Sequence, residues 1–124
     1  MAYSIFYPWR KHPRLIHLIF YDQLSVDEVG DALNTLHDIL VGAQMPMHIL
    51  FSFIEIHILE PPLINVFTRH PALRDPQLGY VLFVDLGPRL QTLAHEIDNK
   101  LGAHIKYVAD EDDAWEFFNL MGIC

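Results

Sequence analysis

The segment Leu78–Met121 constrains the fold more than any other part of the chain, because strand and helix patterns alternate there with a terminator at nearly every junction. Gly79-Tyr80-Val81-Leu82-Phe83-Val84 is a short apolar run rich in β-formers. Gly87-Pro88 opens a helical pattern in which Leu90, Leu93, Ala94, Ile97 and Leu101 fall on one stripe, and Gly102 closes it. His104–Val108 reads as a second strand. Asp110 then caps a last helix, with Glu111, Asp112 and Asp113 at its positive end and Trp115, Phe118 and Met121 directed at the core. Strands that alternate with helices pair in parallel through crossovers, so the fold class is α/β.

The preceding residues extend this pattern. Tyr3–Trp9 and Arg14–Tyr21 read as two strands, and the turn Arg10–Pro13 between them is too short for a crossover, so they pair antiparallel. Leu15–Phe20 is apolar on both faces except at His17, as in an interior strand. Ser25-Val26-Asp27-Glu28 is a capping box for a helix whose apolar stripe is Val29, Leu33, Leu36 and Leu40, ending at Gly42. Met47–Ile54 is a strand with Met47, Ile49, Phe51 and Phe53 on one face. Glu55–Glu60 either extends it or forms a loop. Pro61-Pro62 suits a first helical turn, with Leu63, Val66, Phe67 and His70 as the buried stripe, Pro71 as the stop and Ala72–Gln77 as a surface loop. The order is β-β-α-β-α-β-α-β-α in a single domain, residues 1–124. Right-handed crossovers put successive helices on the same face of a sheet. Four helices on one face would leave the other bare or covered by a partner.

Composition narrows the function classes. With 16 Asp and Glu against 8 Lys and Arg, the formal charge is −8, which repels phosphate backbones and argues against nucleic acid. Arg10, Lys11 and Arg14 form one small basic group, read as a solvated turn. Met1–Ile5 does not read as a signal peptide. The most apolar run, Met47–Leu59, is broken by His48, Ser52, Glu55 and His57, and falls short of the ~18 apolar residues of a membrane span. The single cysteine, Cys124, excludes an intrachain disulfide. A cytoplasmic location is the expectation.

Constellations that carry chemistry are scarce. Eight histidines invite a metal reading, but the closest pairs, His12/His17, His48/His57 and His95/His104, lack the i, i+4 spacing of zinc ligands. Glu55 and His57 share a strand face at i, i+2 and form the one acid/base or ligand pair worth testing. Asp85 follows a parallel strand, where α/β proteins place functional groups. A receiver domain, however, also needs an acidic pair after its first strand and a lysine after its last, and neither is present. Ser52 lies inside a strand rather than on a nucleophile elbow. No glycine-rich phosphate loop occurs, and Asp110–Asp113 lacks the spaced ligands of a calcium loop. The reading calls for no metal and no cofactor.

The succession of antiparallel N-terminal strands, capped helix, apolar strand, short helix and closing strand-helix-strand-helix resembles the SpoIIAA-like fold. That superfamily includes STAS domains and anti-sigma-factor antagonists, and the likeness is nearest to its small stand-alone members. The residues that carry it are Leu24-Ser25-Val26-Asp27-Glu28, Tyr80–Val84, Pro88–Leu101, His104–Val108 and the acidic-aromatic helix Asp112–Phe118. The resemblance implies a mixed, mostly parallel five-stranded sheet with an antiparallel N-terminal strand and about four helices. It also implies a non-enzymatic regulatory or protein-interaction domain, with a homodimer as one form of partner. The phosphoacceptor of the antagonists is missing, since Ile54–Pro62 contains no serine or threonine. Docking is then assigned to the aromatic N-terminal strand (Tyr3, Phe6, Tyr7, Trp9) and to Ile54–Pro62, making Tyr3, Phe6, Trp9, Glu55, His57, Pro61 and Phe67 the candidate site residues. Two alternatives stand beside it. One is a carrier for a small apolar or lipid-like ligand, lined by Phe51, Phe53, Leu63 and Phe67. The other is a weak enzyme using Glu55 and His57.

Overall fold

A computed structural model describes residues 3–21, 25–54, 61–84 and 104–123. They form β1 (Tyr3–Phe6), β2 (Leu15–Tyr21), α1 (Val26–Val41), β3 (Met47–Ile54), α2 (Pro61–Arg69), a 3-10 turn (Pro71–Arg74), β4 (Leu78–Val84), β5 (His104–Val108) and α3 (Glu111–Leu120). The helix expected over Pro88–Leu101, Asp85 and the Glu55–Glu60 segment lie outside the described residues, which hold three α-helices.

The strands make one mixed sheet in the order β1-β2-β3-β4-β5. β1 is antiparallel to β2, with Ser4 opposite Ile19 and Phe6 opposite His17. The other three pairings are parallel. Each step along the sheet goes the same way, so the right-handed crossovers through α1 and α2 place both helices on one face. There Leu33, Leu36, Leu40, Leu63 and Phe67 pack on Ile16, Leu18, Phe20, Ile49, Phe51, Val81 and Phe83.

The second face is not bare, and this corrects the expectation of helices on one face only. α3 lies across the second face and buries Ala114 and Phe118 on Leu15, Leu50, Leu82 and Val84. Burying Phe118 alone is worth roughly 1.5–3 kcal/mol. Trp115 is half-buried, and Met121, expected in the core, lies past the helix end and is exposed. Ala72 and Leu73, expected in a surface loop, are buried because the 3-10 turn folds inward. The His70 side chain starts that turn: its Nδ1 accepts the Ala72 N–H at 3.0 Å and its Nε2–H donates to Asn34 at 2.7 Å.

Local signals are used much as the residues suggest. The Glu28 N–H donates to Ser25 Oγ (3.1 Å), and the serine hydroxyl donates to the Glu28 carboxylate (3.3 Å). The Asp113 N–H donates to Asp110 Oδ1 at 2.8 Å, capping α3. Between β1 and β2, Arg10 and Lys11 hold φ of 49° and 63°, a left-handed pair costly for non-glycine residues at ~1–2 kcal/mol each. Hydrogen bonds from Trp9 N–H to Leu15 O and from His12 N–H to Trp9 O, both 2.9 Å, close the turn and fold Trp9 onto the second face.

Candidate functional site

Of the four buried polar residues among the described ones, Thr68 lies on α2, and His17, Ser52 and His48 gather on the second face, under α3 and the Trp9 turn. His17 pairs in register with Leu50, which places Ser52 on its diagonal two residues further along β3. The imidazole spans that diagonal, and its Nε2 lies 2.8 Å from Ser52 Oγ. Both groups are enclosed, His17 at 2% exposure and Ser52 at 5%. Trp9 meets His17 edge-on at 5.4 Å between ring centroids and also packs edge-on against Trp115 and Phe118. Arg10 covers the outside, its guanidinium 4.8 Å from the Trp9 ring and 5.1 Å from the Trp115 ring, and bonds Asp112 at 2.9 Å.

Glu111, in the first turn of α3, brings Oε1 to 3.7 Å from the same His17 Nε2. It also borders an open cleft of about 400 Å³ at the carboxyl ends of β4 and β5, lined with Val84, Ala109, Asp110 and Asp112. A serine-histidine-acid relay needs the serine and the acid on opposite ring nitrogens. Here both face Nε2. Burial, and then the Arg10 charge, lower the His17 pKa to about 4, so the ring is neutral at pH 7 and too weak a base to activate a hydroxyl there. The pair satisfies two buried polar groups, and the acids around the cleft are engaged in capping α3 and holding Arg10.

A second polar feature lies at the other end of the same face. The β3–β4 register shifts between Met47 and Ile49, so that β4 carries an extra residue opposite His48. The His48 ring lies over Gly79, where a Cβ would collide with ring atoms, so glycine is the residue that leaves the ring its place. His48 Nδ1 accepts the Tyr80 N–H at 2.9 Å. Burial, then Arg14 and His12, lower the His48 pKa to about 4.

The candidate residues named from sequence do not converge. Tyr3 and Phe67 pack on the first face, Tyr3 half-buried and Phe67 wholly buried. Trp9, expected to be a docking surface, is turned inward at 6% exposure because its indole fills the space between the sheet and α3. Phe6 and Tyr7 remain open at 49% and 47%. Pro61 begins α2, while Glu55 and His57 lie outside the described residues. Phe51, Phe53, Leu63 and Phe67, named as a pocket lining, pack on one another inside the core, with ring centroids 6.1–6.3 Å apart between Phe67 and the two β3 phenylalanines. The His17–Ser52 pair was missed, because the partners are 35 residues apart. The available signal was one polar residue in each of two otherwise apolar strands.

Among the described residues, no group of three or more His, Cys, Asp or Glu is placed to hold a metal ion. No helix among them is long and apolar enough to cross a membrane. Compared with known proteins, the chain matches no family model, no curated protein and no solved structure.

Proposed function

We propose that the protein is a non-enzymatic, cytoplasmic protein-interaction domain of the SpoIIAA-like type, which docks through its N-terminal edge strand. The observation that carries this reading is the exposure of Phe6 and Tyr7 at the end of β1, which among the described residues has a strand neighbour on one side only. An open edge with exposed aromatics offers a partner both main-chain hydrogen bonds and apolar area. The order of elements and the mixed sheet with an antiparallel first strand support the SpoIIAA-like assignment. Because Ile54–Pro62 has no hydroxyl side chain, docking in this reading is not gated by phosphorylation at that segment.

The test is affinity capture from native cells with the intact chain and with a Phe6→Ser/Tyr7→Ser variant, beside light scattering of both. A protein partner, or a second copy of the chain, held by the native protein and released by the variant at unchanged melting temperature is expected. Partner binding or self-association indifferent to the double substitution would overturn the assignment to β1.

A further inference from the structure

At the amino end of the parallel strands two donors face one another. The Tyr80 N–H at the bulge donates to His48 Nδ1 at 2.9 Å. A neutral imidazole has one acceptor and one donor nitrogen. With Nδ1 accepting, Nε2 carries the proton. The group facing Nε2 is the Arg14 guanidinium, whose Nη2 lies 3.3 Å away and which has donors only. The other tautomer would set two N–H groups against each other at the shorter distance, 2.9 Å, and is worse. His48 is 5% exposed, and its part-buried Nε2–H is aimed at a second donor.

Arg14 is half-exposed. Its Nε–H donates to the Pro46 carbonyl at 3.1 Å, and among the described residues no carboxylate pairs with it. His12 stands beside it, its Nδ1 accepting the Arg14 backbone N–H at 3.2 Å. A positively charged donor facing a second donor with no acceptor between them is the arrangement an oxyanion would complete.

We propose that Arg14 and His48 bind a small oxyanion, one oxygen of which accepts from both Arg14 Nη2–H and His48 Nε2–H. An oxygen at ~2.9 Å from both nitrogens lies well off the 3.3 Å line between them, so the half-exposed Arg14 side chain swings aside to admit it. The fixed Nδ1 contact holds the ring in the donating tautomer before any ligand binds, and neutral His48 serves as a donor at pH 7. The site is at the opposite end of the strands from the acidic cleft and does not involve Phe6 or Tyr7, so it stands or falls separately from docking through β1.

The experiment is a titration of the full chain with inorganic phosphate, and in a parallel arm with acetate, at constant ionic strength set with sodium chloride. The imidazole nitrogens of His48 and the Tyr80 amide are followed by NMR. Before titration, the nitrogen shifts must place the proton on Nε2; a proton on Nδ1 would overturn the proposal. Saturable shifts at both groups are expected, with the tighter of the two arms naming the oxyanion as phosphate or carboxylate. Arg14→Gln should weaken binding about tenfold or more, and Arg14→Lys less, because a charge remains but the forked donor is lost. The melting temperature of the native chain should rise with the bound anion by mass action. No saturation in either arm by ~50 mM, far above the ~1 mM of a weak site, would mean that water alone bridges the donors and would overturn the proposal. An unchanged constant in folded Arg14→Gln would do the same.

Discussion

On the face of the sheet toward α1 and α2, Phe20, Phe51, Phe53 and Phe83 stack across neighbouring strands, with Phe20–Phe53 and Phe51–Phe83 at 5.4 Å. On the face toward α3, two of those strands, β2 and β3, carry His17, Ser52 and His48, closed over by Trp9 and Phe118. The sheet side of the first face is held by volume and shape, with its hydrogen bonds confined to the helix layer above it. The second is held by fewer apolar groups and by hydrogen bonds whose partners must match donor to acceptor. Buried polar pairs contribute little net stability when satisfied and cost much when broken, so the second face is where pH and single-atom changes should be felt.

The largest effect expected is on the first face. Phe51→Ala removes a wholly buried ring from the centre of the stack and should cost about 3–5 kcal/mol, read as a lowered midpoint in urea unfolding. A much smaller loss would mean that the stack is not the main store of stability. Acid should then separate the faces. His17 and His48 have folded pKa values of about 4, below the ordinary 6.5. As pH falls below 6.5 the unfolded chain takes up protons first, so their contribution is complete above pH 6.5 and is lost progressively toward pH 4. Each group accounts for at most about 3 kcal/mol of that loss. Denaturation series from pH 7 to 4 check this, and a Phe51 variant should show the same pH slope as the native protein. A flat profile for the native chain would remove the contrast between the faces.

Next in size, Ser52→Ala leaves the buried His17 Nε2 without its 2.8 Å partner and should cost about 1–3 kcal/mol. His17→Leu combined with Ser52→Ala should recover part of that cost, since neither polar group then remains, and a double-mutant cycle in urea measures the coupling. The smallest effect belongs to the outer layer. Arg10→Ala breaks an exposed ion pair with Asp112 and the contacts with Trp9 and Trp115, and should cost about 1 kcal/mol or less in thermal melts, with the ion-pair part fading at high salt.

The contrast between the faces also marks how far the residues alone could be read. The first face was legible, because Met47, Ile49, Phe51 and Phe53 alternate along β3 and Val29, Leu33, Leu36 and Leu40 recur along α1, so each segment declares its buried side by itself. The second face was not. Leu15, Leu50 and Leu82 show that it is apolar, but nothing in them says which helix covers it. Trp9 reads as an exposed strand aromatic until the Arg10–Lys11 turn folds it inward. Gly79 reads as the start of a strand, whereas its lack of a side chain makes room for the His48 ring across a bulge.

By itself the sequence determined the elements and their ends: the Ser25 and Asp110 caps, the proline-led α2, the strand periods and the parallel pairing that a crossover helix enforces. These follow from interactions within a few residues, which the chain order already contains. Only the tertiary structure decided that α3 crosses to the second face, that His17 meets Ser52, and that His48 turns a proton toward Arg14. Those outcomes depend on strand register and on which surfaces remain unburied after the crossovers are made, and neither is a property of any one segment.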